Sequence, residues 1–306
     1  MPELPDVELY LHALTTRVVG RRLERIRLAS PFLLRSVRPP ISTAEGKAVT
    51  GLRRIGKRIV FEQEDELFLV IHLMVAGRFQ WKPRHEGDPP AKIPGRLGSA
   101  AFDFAAGTLL LTEAGSKKRA SLHLVEGEKG LRLHDPGGIE PLTSPDEAVL
   151  AALRAENHTL KRALTDPHIL AGIGNAYSDE ILHRAQLSPF KQTKHLTDDE
   201  GDRLLQAMRA VLTEWIERLQ TETGDGFPKK VTAFRPEMAV HGRYREPCPE
   251  CGAPVQRILY AENESNYCAP CQTGGKLLAD RVLSKLLKGD WPKTLEELER
   301  RKDAAS

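Results

Sequence analysis

The sequence predicts an α+β multidomain chain, and three observations carry that reading. Short β-type runs dominate the first 134 residues beyond an N-terminal helix, apolar positions at helical spacing take over from Asp146, and all four cysteines fall between Cys248 and Cys271. The expected boundaries are 1–134 for a sheet-rich domain, 135–145 for a linker, 146–237 for a helical domain, 238–275 for a cysteine finger and 276–306 for a C-terminal helical extension.

Composition excludes several classes. Apolar residues make up 40% of the 306-residue chain and charged residues 28%, ordinary values for a globular protein. No apolar run approaches the ~20 residues that span a bilayer, and the start lacks the order of a signal peptide. The expectation is a cytoplasmic chain with no membrane partner. A formal charge of +3 names no partner, but Arg53-Arg54, Lys57-Arg58, Lys117-Lys118-Arg119 and Lys229-Lys230 form short basic patches suited either to phosphates or to a solvated face.

The chain opens with Met1-Pro2-Glu3-Leu4-Pro5-Asp6-Val7-Glu8. Removal of Met1 leaves Pro2 with a free secondary amine, a nucleophile for a carbonyl-like carbon because α-amino groups titrate at about 7.7–8.0. Glu3 stands beside it. The plainer reading is a helix entry, where Pro and acidic residues are favoured. Val7, Tyr10, Leu11, Leu14 and Val18 fall at helical spacing, so residues 5–18 read as an amphipathic helix ended by Gly20.

Strand-like runs follow at 57–62, 67–73, 101–104 and 108–112, with a long Pro- and Gly-rich surface loop at 82–98. Beyond the linker, residues 157–164 and 198–219 read as helices. Between them, Gly172 and Gly174 permit a tight turn, and Asn175 sits where a new helix begins. Free N–H groups at such a start can bind phosphate; a plain connection in a bundle explains the same residues.

Cys248-Pro-Glu-Cys251 and Cys268-Ala-Pro-Cys271, with sixteen residues between the pairs, match a four-thiolate zinc site. Four protein ligands leave no vacancy, so one structural zinc ion is expected. Residues 255–260 and 266–267 would form a β-hairpin between the knuckles, and 277–287 and 294–301 two further helices.

Taken together these stretches resemble the formamidopyrimidine-DNA glycosylase and endonuclease VIII family of base-excision repair enzymes. The resemblance rests on Pro2-Glu-Leu-Pro-Asp-Val-Glu8, Lys57 at a strand end, Ala171-Gly-Ile-Gly-Asn-Ala-Tyr-Ser-Asp-Glu180 and the four-cysteine hairpin preceded by His241-Gly242-Arg243, and it covers roughly residues 2–272. It implies an N-terminal β-sandwich carrying an N-terminal helix, a helix–two-turn–helix domain and a C-terminal zinc β-hairpin, with damaged double-stranded DNA as partner. It further implies catalytic roles for Pro2, Glu3 and Lys57, with base removal and strand cleavage through a proline Schiff base by β,δ-elimination. Lys161, Gly172, Gly174 and Asn175 would grip phosphates, and the chain would act as a monomer.

Several positions depart from the family pattern. Asn263 stands where the zinc hairpin usually carries an arginine, and Arg257 and Arg243 lie elsewhere. The chain reads His72-Leu-Met-Val-Ala-Gly77 where the family fills the void left by a flipped base, so either Met74 or Val75 takes that place. The arginine-rich loop with its aromatic is replaced by Ala114-Gly-Ser-Lys-Lys-Arg-Ala120. These changes bear on Met74, Arg243 and Asn263 as DNA contacts, and they motivate a rival reading as a non-catalytic damage sensor. The segment 276–306 either packs on its own domain or docks a protein partner through Leu277, Leu278, Val282, Leu286 and Leu287.

Overall fold

The computed structural model describes residues 1–115, 117–260, 263–279 and 292–303. The chain divides into two compact units, Met1–Gly138 with Thr213–Ala233, and Ile139–Leu212 with Phe234–Ser306.

The first unit is a sandwich of two four-stranded antiparallel sheets. Strands β1 (Leu23–Leu28), β5 (Gly77–Pro83), β6 (Gly98–Phe104) and β7 (Gly107–Glu113) form one sheet in the order β1-β6-β7-β5. Strands β2 (Val49–Ile55), β3 (Arg58–Gln63), β4 (Leu67–His72) and β8 (Ser121–Glu126) form the other in the order β2-β3-β4-β8. Alternate residues of both sheets, among them Ile59, Phe61, Leu69, Ile71, Phe102, Leu109 and Leu111, meet in one buried core. Helix α1 (Leu4–Val18) lays Val7, Tyr10, Leu11, Leu14 and Val18 into that core, the five positions marked by helical spacing. Both faces of β6 and β7 are buried. On the face away from Phe102, Asp103 accepts bonds from Arg27 and Thr108, and Arg27 also reaches the Ala91 carbonyl, which ties the 84–97 loop down.

The outer face of the β3-β4-β8 sheet is covered by the short helix α2 (Gly127–Arg132), whose Leu131 packs on Val60, Phe68 and Val70. Strands β1, β2, β5 and β8 and helix α2 go beyond the runs read from the sequence.

The second unit contains α3 (Asp146–Ala155), α4 (Leu160–Thr165), α5 (Asn175–Arg184), the start of α6 (Asp198–Thr223), and the hairpin β9 (Gln256–Tyr260) and β10 (Asn263–Tyr267) with α7 (Ala269–Thr273). Asn157 and His158 lie outside α4, because Thr159 caps it by accepting the Arg162 N–H. The second hairpin strand is longer than expected. In the C-terminal extension residues 277–279 are not helical, the rest of the 277–287 expectation lies outside the described residues, and α8 spans Leu295–Asp303. Leu277, Leu278 and Leu295 pack with Phe190 against Ile258 and Tyr267 of the same unit. Among the described residues no helix is long and apolar enough to cross a membrane.

Candidate functional site

At the N-terminus, Pro2, Glu3 and Asp6 are all buried, with Glu3 only 3% exposed. The Glu3 N–H donates to the Asp6 carboxylate at 3.0 Å, a capping contact that fixes the backbone beside Pro2. Burial holds the Met1 amine below the ordinary α-amino range; Arg78 and Lys57 push the same way, against Glu3 and Asp6. An amine in this position therefore carries more of the neutral, nucleophilic form than an exposed one.

Lys57 occupies a two-residue turn between β2 and β3, where Ile55 pairs with Arg58 and Gly56 takes a φ of +57°. Arg54 holds this turn to α1: its Nε donates to Glu8 at 2.7 Å and its Nη1 to the Gly56 carbonyl at 3.1 Å. Arg78 donates from Nε to the Val231 carbonyl at 2.6 Å and from Nη1 to the Gly77 and Val75 carbonyls. Neither Arg54 nor Arg78 was marked for these roles by a motif. The only signal for Arg54 was its place in a basic patch two residues before a turn glycine.

Between β4 and β5 the Gly77 N–H closes a turn on the Leu73 carbonyl at 2.9 Å. Met74 is half-buried at a left-handed φ of +53°, while Val75 is 60% exposed. Lys117 to Ala120 leave β7 through buried Glu113, which accepts the Arg119 and Ala120 N–H groups.

In the second unit, Gly172 adopts a φ of +83° and extended Gly174 caps α5, so Asn175 is its first residue. Asn175 donates from Nδ2 to the Glu264 carbonyl of β10 at 2.7 Å. Lys161 is turned inward, bonding the Asn175 carbonyl and the Asp179 carboxylate, each at 2.6 Å. Asp179 is fully buried and also accepts His241 Nδ1 at 2.8 Å, Ser265 Oγ at 2.8 Å and the Asn266 N–H at 3.1 Å. Burial alone would raise its carboxyl; Lys161 and then His241 overcome this and hold it below the usual range. The next residue, Glu180, accepts the N–H groups of Ala239, Val240 and His241. Arg243 is spent on Glu246 and on the Pro236 and Met238 carbonyls. Asn263 belongs to β10, but its side chain lies outside the described residues. Arg257 stacks over Tyr244 at 4.2 Å and faces Glu264 at 3.6 Å.

The four cysteine sulfurs lie within 4.8 Å of one another, with Cys251 and Cys268 at 3.3 Å and Cys248 and Cys271 at 3.9 Å. Tetrahedral zinc with Zn–S bonds of about 2.3 Å requires sulfurs about 3.8 Å apart, so the set fits a four-coordinate metal. Burial pushes the Cys268 and Cys271 thiols up, while Cys251 is held below its ordinary value, and a bound cation would favour the thiolate form of all four. His183 Nε2 approaches Cys248 Sγ at 3.2 Å.

A two-sheet sandwich, a glycine-turned helix start and a four-cysteine hairpin together fit the class of DNA glycosylases. Residues 1–135 match the formamidopyrimidine-DNA glycosylase N-terminal domain and residues 138–225 the formamidopyrimidine-DNA glycosylase H2TH domain. The formamidopyrimidine-DNA glycosylase of Thermus thermophilus is 32% identical over 282 residues, covering 90% of this chain and 100% of the relative. That of Symbiobacterium thermophilum is 34% identical over 285 residues, covering 89% of each. The Lactococcus lactis enzyme, solved bound non-covalently to DNA with an AP site, superposes with a TM-score of 0.74 at 25% identity over 89% of this chain and 99% of that one. The chain belongs to the formamidopyrimidine-DNA glycosylase family.

Proposed function

We propose that this chain removes damaged bases from double-stranded DNA and cleaves the resulting abasic site as a lyase. The observation that carries the reading is the buried Pro2–Glu3 pair, with Lys57 held toward α1 through the Arg54 bridge between Glu8 and Gly56. With Met1 removed, the neutral Pro2 amine attacks C1′ of the damaged nucleoside and the C1′–N bond breaks, its electron pair leaving with the base. Glu3 supplies a proton to the sugar ring oxygen as the ring opens, giving an iminium between Pro2 and C1′. The iminium withdraws electrons, so loss of a C2′ proton expels the 3′ phosphate, and a second elimination expels the 5′ phosphate. Lys57 holds phosphate charge near the reacting nucleotide. A base in duplex DNA must be flipped out for this chemistry, and Met74 or exposed Val75 would fill the space it leaves.

In this reading residues 1–134 carry the chemistry, and residues 146–237 with the finger 238–275 bind DNA. Gly172, Gly174 and Asn175 would lie against a phosphate, as the family resemblance implies, and Cys248, Cys251, Cys268 and Cys271 would hold one structural zinc ion that fixes the hairpin. The inward commitments of Lys161 and Arg243 favour a second reading, a DNA-binding damage sensor with weakened grip on the lesion strand.

Borohydride trapping on an abasic-site duplex separates the two, once mass spectrometry shows Pro2 at the N-terminus. The lyase gives a covalent adduct that is lost when the Pro2 amine is blocked and reduced in Glu3→Gln. Correctly processed protein that binds the duplex but gives no adduct is the sensor.

A further inference from the structure

Strand pairing gathers a group of basic residues at one end of the outer β3-β4-β8 face, past the area that α2 covers. Arg58 pairs with His72 across β3 and β4, and His123 of β8 pairs with Val70, two residues before His72, so all three point to one face. The chain leaving α2 brings the His134 ring against His123, with centroids 4.5 Å apart at 58°. Arg35 sits alongside, where its backbone N–H bonds the Leu122 carbonyl.

Arg58 is half-buried, and among the described residues its side chain makes no hydrogen bond or ion pair; only the Asp135 carboxylate acts on it through space. A desolvated guanidinium without an acceptor is costly, and an oxyanion is the ligand that its planar fork of donors matches. His123 is held down to about 4 by burial and then by His134, Arg58 and Arg35. At neutral pH it is an uncharged N–H donor, and the two arginines beside it repel a metal ion.

We propose that Arg58, His123 and His134, with Arg35 at the rim, bind a backbone phosphate of the DNA strand that passes Lys57. The proposal rests on the DNA-processing reading above and adds a contact to it. The guanidinium takes two phosphate oxygens, and the imidazole N–H groups take what remains. Such a contact adds sequence-independent grip in a chain whose Lys161 and Arg243 are engaged internally.

The test is equilibrium binding of the full chain to a duplex carrying a tetrahydrofuran abasic analogue, across a salt series. A lost phosphate contact lowers the slope of log K against log salt by about 0.9. The double variant Arg58→Gln, His123→Gln should bind about tenfold or more weakly with the slope reduced by that amount, while Arg58→Lys keeps most of the slope. Thermal melting of each variant checks the fold. Unchanged affinity and slope, or lost affinity with the slope retained, overturns the site. If the wild type binds and traps the duplex while the double variant matches it, only this site falls; if the wild type binds no DNA, the functional reading falls with it.

Discussion

The Arg54 guanidinium joins two parts of the N-terminal site, donating to Glu8 on α1 at 2.7 Å and to the Gly56 carbonyl in the Lys57 turn at 3.1 Å. Its side chain is 9% exposed, so this contact is largely shielded from solvent, whereas Glu8 is 32% exposed.

Glu8→Gln keeps the shape and removes the charge. It should cost about 1–2 kcal/mol, lowering the melting temperature by a few degrees. The rate of borohydride trapping should fall several-fold while affinity for the duplex changes little. A variant with a wild-type trapping rate would show that Lys57 is positioned without this bridge.

Gly77 has no room for a side chain, since a Cβ there would lie 2.2 Å from the Leu73 carbonyl oxygen. Gly77→Ala must open the β4–β5 turn, at a cost of about 1–3 kcal/mol. Urea denaturation should read that loss, and trapping should weaken because Met74 and Val75 move with the turn. Unaltered stability would mean that the turn yields freely.

Acid should weaken the first unit as pH falls from 6.5 toward 4. His72 is held down to about 4 by burial and then by Arg58 and Lys57, and His123 reaches about the same value. Folded values below the ordinary 6.5 mean that the neutral rings contribute stability above that pH, lost as pH falls through 6.5 toward 4. Urea midpoints across this window should fall more steeply for the wild type than for His123→Gln. Parallel curves would remove the histidine from the account.

Metal analysis should return one zinc ion per folded chain, and stripping it should expose four thiols to a thiol reagent. Cys268→Ser should lower both metal content and melting temperature. Folded chain with well under one equivalent of metal would count against the four-thiolate site.

Much of this organisation was legible in the sequence because periodicity and ligand spacing are local signals. The five apolar positions of α1 and the two cysteine pairs need no partner to be recognised. Strand β2 escaped because Arg53 and Arg54 break its alternation, their charges being met by Glu62, Glu128 and Glu8 on other elements. Lys161 read as a phosphate ligand only through the family resemblance. Its inward direction follows from buried Asp179, four residues after Asn175 on the same helix, and only the packed hairpin explains that burial.

Asp179 answers to α4 through Lys161, to the chain entering the finger through His241, and to β10 through Ser265 and Asn266. Neither the helix pair nor the finger can be exchanged alone without leaving charge or donors stranded in the interior. The two therefore form a single transplantable cassette, and a chimera should place its junctions before Thr159 and after Gly275, so that Cys268 and Cys271 travel with Cys248 and Cys251.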